Sequence, residues 1–191
     1  STQGVSSAAS DVYKRQLLLA RRLVESGVSL VNVAAWTGLA KGEKFVSVET
    51  WDMHGNAFGV DDGMPILGPA VDKAVSAFIE DCEHRGLSEK ILLVITGASG
   101  RTPRTNTTAG RDHWGRLCPL AFAGGGLNMG QVIGRSDSLC AHPATEAYGP
   151  KNLLATVMHT LFATTAMRLR TDIPSTVSEL ITDGHPIPGL L

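Results

Sequence analysis

Apolar side chains recur every three or four positions, the spacing of an amphipathic helix, in three stretches: residues 17–26, 67–82 and 151–162. Glycine suits the position just after a helix and follows the first two stretches at Gly27 and Gly86. Pro150 precedes the third, where proline suits a first turn. Thr176 and Glu179 form a capping-box pattern that predicts one further short helix.

Short runs of mostly apolar residues predict buried strands, and the continuous aliphatic run at 91–95 predicts a strand that is covered on both faces. These runs are residues 28–35, 91–95 and 117–123, with a shorter extended piece at 131–133. Between them, residues 36–64 are rich in glycine, and residues 96–115 are polar, so both are predicted to be loops. Strands that alternate with helices predict an α/β sandwich with a largely parallel sheet.

Residues 1–16 differ from the rest of the chain, since they are rich in Ser and Ala and lack apolar periodicity. They also lack the apolar core that a signal peptide needs. Residues 6–16 resemble translated adapter sequence, a contaminant of assembled metagenomic reads. We therefore interpret residues 1–16 as a non-native leader, and residues 17–191 as the C-terminal portion of a longer α/β domain.

Composition excludes some classes of function. A formal net charge of -1 argues against a nucleic-acid binder that relies on bulk positive charge. The chain has no apolar run of about 18 residues, so the sequence predicts no membrane span. The cysteines, Cys82, Cys118 and Cys140, are three in number and lack the C-x-x-C spacing of a metal or redox site. Cysteine usage therefore indicates no particular compartment.

The first candidate site is the loop at residues 51–56, which contains Asp52 and His54 just before Gly55. A carboxylate and an imidazole two residues apart can converge on one cation if the backbone turns. Such ligands suit zinc, manganese or iron. An ordinary surface loop can have the same composition, so the metal-site and surface-loop interpretations both remain open.

The second candidate site is the loop that follows the predicted strand at 91–95. Four arginines lie here within a short span, Arg101, Arg104, Arg111 and Arg116, beside Asp112 and His113. Guanidinium groups bind tetrahedral oxyanions through two parallel hydrogen bonds, so this loop could hold phosphate or sulfate. His113 could bind a metal with Asp112, or act as a general acid or base. A solvated loop in which Asp112 pairs with Arg111 is the alternative.

These motifs and several others occur in an order that is recognisable. They are residues 18–28, 51–56, 100–104, 109–114, 123–127, 130–134, 152–156 and 183–187. In this order they resemble the bacterial domain-of-unknown-function family 1501 (DUF1501), a sulfatase-like branch of the alkaline phosphatase superfamily. The resemblance covers nearly all of residues 17–191.

The resemblance implies a three-layer α/β/α sandwich with metal ligands and an anion site at one sheet edge. Asp52 and His54 match an aspartate and a histidine that help to hold a divalent ion, such as zinc, manganese or calcium. His113, with Asp112 beside it, matches a late histidine ligand. Arg101 matches an arginine expected near the substrate anion, with Arg111 as a second anion-binding group. The superfamily's nucleophile belongs to its N-terminal part, which we expect this chain to lack.

We therefore expect a fragment of a metal-dependent hydrolase whose substrate is a small sulfate or phosphate ester. Relatives usually carry an acidic residue followed by an aromatic one where this chain has Ala98 and Ser99. That departure removes a plausible carboxylate ligand and favours the alternative, a non-catalytic exported binding or scaffold protein with the same fold. The resemblance also suggests a periplasmic or extracellular location.

Overall fold

The computed structural model describes residues 2–35, 51–56, 59–182 and 184–191. Within these ranges it contains the helices α1 (Thr2–Glu25), α2 (Val60–His84), α3 (Pro150–Leu161), α4 (Thr164–Met167) and α5 (Ser175–Thr182). The strands there are β1 (Leu92–Thr96), β2 (Gly100–Arg101), β3 (His113–Trp114) and β4 (Leu120–Gly124). The chain divides into two compact units. Unit 1 is Ser1–Arg85 with Ser99–Gly115, and unit 2 is Gly86–Ala98 with Arg116–Leu191.

Unit 1 is built on the packing of α1 against α2. Tyr13 of α1 is 4% exposed and packs with Ala70 and Ala74 of α2, while Leu17 and Val71 line the same cluster. Small alanines on one helix leave room for the large ring of the other, so the two helices approach closely. The predicted helices at 17–26 and 67–82 are confirmed as parts of α1 and α2, which both begin earlier than the apolar pattern indicated. The interpretation of residues 1–16 as a leader stays a prediction.

An ion pair also joins these two helices. Arg21 is 5% exposed, and its Nε lies 2.7 Å from Oδ2 of Asp81. The N–H of this buried Nε lacks a hydrogen-bond partner among the described residues. The contact with Asp81 therefore acts through charge, without the alignment of a hydrogen bond. Arg21 also pairs with Glu25 one turn along α1.

The start of α2 corrects the predicted loop at 36–64, because residues 60–64 are already helical. The helix begins where the Asp62 carboxylate accepts a hydrogen bond from the N–H of Gly59, at 2.8 Å. Two aspartates in the first turn also suit the positive end of the helix dipole. Residues 51–56 and 59 form no helix or extended strand, as predicted, and residues 36–50 and 57–58 lie outside the described residues.

The long polar loop at 96–115 contains a small β-hairpin. Strands β2 and β3 pair antiparallel, with Gly100 opposite Trp114 and Arg101 opposite His113. Two residues of each strand suffice to hold the ends of the loop together. Arg101 and His113, both predicted site residues, are thus fixed on neighbouring strands.

Unit 2 packs a strand pair and the C-terminal segment around a second core. Strands β1 and β4 confirm the predicted strands at 91–95 and 117–123, and pair antiparallel from Leu92↔Gly124 to Thr96↔Leu120. The core consists of Leu127, Ile187 and Leu190, with Leu92 and Phe122 of the two strands packed against it.

Helix α3 confirms the third predicted helix and begins at Pro150 as expected. Its Thr156 is fully buried and accepts a hydrogen bond from the N–H of Ile187 at 2.9 Å. The same hydroxyl donates to the carbonyl oxygen of Asn152. One side chain thus satisfies a buried N–H of the C-terminal segment and ties that segment to α3. The fourth predicted helix is present as α5, which begins one residue before the expected cap, Thr176.

The predicted strand at residues 28–35 is wrong, and the extended piece at 131–133 is not part of a strand. Residues 28–35 and 131–133 have no regular structure, and Leu30 and Val132 within them are 80% and 97% exposed. A short apolar run does not become a strand without a neighbour to pair with, and neither run pairs with a strand in the part of the chain described.

The strand pairs found among the described residues are both antiparallel. The segment between β1 and β4 contains a hairpin and no helix, so it does not supply the helical crossover that a parallel pair needs. The three-layer sandwich with a largely parallel sheet stays a prediction. None of the described helices combines the length and apolar character required to cross a bilayer.

Candidate functional site

The two predicted loops lie against each other within unit 1. The N–H of Arg111 donates to the carbonyl oxygen of Met53 at 3.0 Å, and the N–H of Asn56 donates to that of Thr108 at 3.1 Å. Gly55 and Ala109 form an isolated antiparallel bridge between these bonds. The loop at 51–56 is therefore held by the hairpin loop as if by a neighbouring strand.

Two glycines make this close approach possible. A Cβ on Gly110 would overlap the backbone of His54 and of Gly55. A Cβ on Gly55 would overlap Thr108, and its φ of +102° also lies in the region that favours glycine. Both positions therefore require glycine.

The 51–56 loop is also anchored to α2. Met53 is 5% exposed, and a Cβ on Gly63 of α2 would lie 2.6 Å from the methyl carbon of its side chain. The buried methionine alternates with Asp52 and His54, whose side chains are partly exposed. Burial of the middle residue thus presents the two flanking polar side chains toward solvent.

Asp52 and His54 form a hydrogen-bonded pair. Oδ1 of Asp52 lies 2.5 Å from Nδ1 of His54. This hydrogen bond from His54 is the main reason why the pKa of Asp52 lies below its ordinary value of 3.8, and the charge of Arg101 contributes less. A carboxylate oxygen accepts from Nδ1 of His54, and an Arg101 N–H faces Nε2, so the contacts fit the tautomer that carries its proton on Nδ1.

Arg101 binds the opposite side of the His54 ring. Its Nη1 lies 3.0 Å from Nε2 of His54 and also donates to the carbonyl oxygen of Arg111 at 2.8 Å. Its Nη2 donates to the carbonyl oxygen of Trp51, also at 2.8 Å. The guanidinium thus joins the histidine loop to the hairpin, and His54 bridges a carboxylate and a cation.

The other predicted site residues divide into two groups. His113 is exposed and lies beside His54, with ring centroids 4.7 Å apart and an angle of 56° between the planes. The guanidinium of Arg111 instead donates to the carbonyl oxygens of Thr102 and Pro103, and the carboxylate of Asp112 accepts from Asn106. The alternative in which Asp112 pairs with Arg111 has no ion pair to support it among the described residues.

Sequence reasoning did not single out Asn106, although its side chain contacts both loops. Its amide nitrogen donates to the carbonyl oxygen of His54 at 2.8 Å, and its oxygen accepts from the N–H of Thr108. The second contact is an Asx turn, for which asparagine in a loop of threonines and glycine is a recognised signal. The turn could thus have been predicted, but its contact with His54 could not.

The four predicted metal ligands do not converge as they stand. Asp52, His54 and His113 are neighbours, but Nδ1 of His54 faces Asp52 and its Nε2 faces a guanidinium cation. The carboxylate of Asp112 is directed to Asn106. Within the described ranges, His, Cys, Asp and Glu do not form a group of three that could hold a metal ion. This arrangement does not fit a metal, and a divalent ion on these four residues stays a prediction.

The chain matches a family model described as a protein of unknown function (DUF1501). The match covers residues 1–187. No curated protein and no solved structure matches the chain. A match over nearly the whole chain shows that it belongs to the DUF1501 family.

Proposed function

We propose that this chain is part of a hydrolase of small sulfate or phosphate esters. In this proposal the cluster of Asp52, His54, Arg101 and His113 holds the ester anion and transfers a proton. The sulfatase-like placement of the family is part of the same proposal. The observation that carries it is the histidine held between a carboxylate and a guanidinium, with a second histidine beside it.

The charges of the cluster suit a tetrahedral anion. The hydrogen bonds that Arg101 makes to described residues come from Nη1 and Nη2, and its Nε–H has no partner among those residues. A guanidinium that the fold already holds in place does not lose conformational freedom when it binds an oxyanion. Its attraction to the anion is therefore not offset by a cost of ordering the side chain. Arg111 is occupied with two backbone carbonyl oxygens, so the proposal assigns the anion to Arg101 alone.

One of the two histidines suits proton transfer to the ester, and the other orients the cluster. Both ring nitrogens of His54 have partners, Asp52 and Arg101, so in this proposal His54 holds the guanidinium in place and does not itself exchange a proton with the ester. His113 is exposed beside His54 and lies on β3, directly across the hairpin from Arg101. With the non-bridging oxygens of the ester held by Arg101, its bridging oxygen would lie near His113, which can protonate that oxygen as a nucleophile attacks phosphorus or sulfur and the bond to the bridging oxygen breaks.

The experiment is hydrolysis of 4-nitrophenyl phosphate and 4-nitrophenyl sulfate by the full-length protein that contains this chain, with uncharged 4-nitrophenyl acetate as the control substrate. We expect turnover of a charged ester that falls about 100-fold in His113→Ala, since general acid–base catalysis contributes that order of rate. His84→Ala, an exposed histidine on α2 outside the cluster, is the matched control and should retain parent activity. Equal rates for the parent and His113→Ala would refute the role of His113.

One observation favours a second function, that of a non-catalytic binding protein. The arginines use their side chains to hold the loops together. Arg101 and Arg111 both donate to backbone carbonyl oxygens. Ala98, where relatives usually have an acidic residue, points the same way. Saturable binding of both charged esters without release of 4-nitrophenol, by a folded parent protein, would favour this second function over hydrolysis.

A further inference from the structure

Asn106 uses all the hydrogen-bonding capacity of its side chain where the hairpin loop meets the histidine loop. Both amide hydrogens are donated, one to the carbonyl oxygen of His54 at 2.8 Å and one to Oδ1 of Asp112 at 3.0 Å. The amide oxygen accepts from the N–H groups of Thr108 and Gly110, at 3.0 and 2.9 Å. A side-chain amide offers two donors and two acceptor lone pairs, so this one is satisfied.

The backbone of Asn106 closes the same loop on itself. Its N–H donates to the carbonyl oxygen of Gly110 at 2.8 Å, and its own carbonyl oxygen accepts from the N–H of Ala109 at 3.2 Å. Ala109 has a φ of +62°, which costs an alanine about 1 kcal/mol and persists only where surrounding contacts require it. The turn at 106–110 is thus a closed unit that presents the amide of Asn106 in one direction.

That direction is toward the backbone of His54. The imidazole of His54 must reach Asp52 with Nδ1 and Arg101 with Nε2 at the same time. A displacement of the His54 backbone moves both ring nitrogens relative to their partners, so the carbonyl that Asn106 holds determines whether both contacts can form.

Thr108 provides a weaker second contact to the same carbonyl oxygen. Its Oγ1 lies 3.1 Å from that oxygen and 2.8 Å from Oδ1 of Asn106. A hydroxyl has a single hydrogen and cannot serve both acceptors at once. The amide of Asn106, at 2.8 Å, makes the shorter of the two contacts to the carbonyl oxygen of His54.

We propose that Asn106 is a positioning residue that holds His54 in the orientation, and hence the tautomer, in which it bridges Asp52 and Arg101. The effect of Asn106 on turnover rests on the proposed hydrolase function. The effect of Asn106 on the His54 ring does not depend on that function. Asn106 acts through His54 and is given no contact with the substrate.

The test uses two variants and a matched control. Asn106→Ala removes every side-chain hydrogen bond of Asn106. Asn106→Asp keeps the acceptor oxygen for Thr108 and Gly110, and so the turn, but removes the donor to His54. The control is Asn152→Ala in unit 2, because Asn152 makes the same kinds of contact. It donates to the carbonyl oxygen of His185 and accepts from the N–H of Gly149, both at 2.9 Å.

The first measurement is the nitrogen NMR spectrum of the His54 imidazole at one mildly alkaline pH, where histidine is neutral. In the parent and in Asn152→Ala we expect a single tautomer with its proton on Nδ1. In Asn106→Ala and Asn106→Asp we expect a mixture of the two tautomers. A folded Asn106→Asp variant with the His54 signals of the parent would overturn the proposal.

The second measurement is turnover of the 4-nitrophenyl esters by the same proteins. A misplacement of about 1 Å lowers the rate by about 100-fold, so we expect that loss in kcat with little change in KM. If the tautomer changes but the parent lacks turnover, the proposed hydrolase function fails and the positioning role stands. Loss of turnover without a change of tautomer would overturn the positioning role.

Discussion

Substitution of Gly110 by alanine should disrupt the contact between the two loops of the site. The added Cβ would overlap backbone atoms of His54 and Gly55, which cannot move away as a flexible side chain can. Overpacking of this kind typically costs about 1–3 kcal/mol, and contact with backbone places the cost near the upper end of that range.

The loops could also separate to relieve the overlap, at a similar cost. Separation would break the bonds from the N–H of Arg111 to Met53, from the N–H of Asn56 to Thr108, and from the side-chain amide of Asn106 to His54. At about 0.5–1.5 kcal/mol for each bond, the loss is again about 3 kcal/mol. For a chain of this size that loss lowers the melting temperature by about 6–12 °C.

The control for Gly110→Ala is Gly115→Ala in the same unit. A Cβ on Gly115 would meet no atom within 4 Å, and neither glycine has a positive φ, so the two substitutions differ in packing alone. The assay is thermal and urea unfolding, followed by the fluorescence of Trp51 and Trp114, which both belong to unit 1. Equal melting temperatures for the two variants would refute the argument that the loops touch at Gly110.

Three further predictions concern stability and reactivity. Leu67→Ala should cost about 2–5 kcal/mol in urea unfolding because Leu67 is fully buried, whereas Leu169→Ala, at 84% exposed, should cost less than about 0.5 kcal/mol. The hydrogen bond from Arg85 lowers the pKa of Asp81 from 3.8. The stability gained from this carboxylate is therefore complete above pH 3.8 and is lost as the pH falls through the lower folded pKa, so acid should destabilise the parent more than Asp81→Asn. Burial raises the pKa of Cys82, so a thiol reagent should modify the two exposed cysteines first; equal rates for all three would contradict that burial.

Helix existence could be predicted from the sequence where apolar spacing was regular over many turns. The stretch at 67–82 became the centre of α2, because burial of Leu67, Ala70 and Ala74 on one face is what its spacing encodes. The apolar run at 28–35 failed as a strand prediction, since hydrophobicity alone does not supply a pairing partner. Its Leu30 is exposed in the structure.

The candidate site could be predicted in its composition but not in its geometry. The sequence indicated Asp52, His54, Arg101 and His113 by residue type and loop position. The hydrogen bond from Arg101 to His54 joins residues 47 positions apart and depends on the β2–β3 hairpin, which is too short to show any periodicity. The role of Asn106 could not be predicted either, because it depends on a contact with His54, 52 positions away.

The geometry also changes the roles that the sequence suggested for the polar residues. Arg111 and Asp112 were expected at the anion and the metal, but both side chains hold the hairpin loop together. Carboxylates and guanidinium groups satisfy the backbone of an irregular loop as readily as they bind a ligand. Residue type alone does not separate these two uses.

The proposed function depends on one property of the protein, the binding of a tetrahedral anion by the cluster around Arg101. It is tested most directly by isothermal titration of inorganic phosphate and of sulfate into the parent protein, His113→Ala and Arg101→Lys. Lysine retains the positive charge but lacks the planar fork that holds His54 and the two loops. We expect saturable binding of one anion by the parent, and affinity at least about 10-fold weaker in both variants, which is about 1.4 kcal/mol. Absence of binding by the folded parent, or equal affinity in all three proteins, would contradict the proposed function.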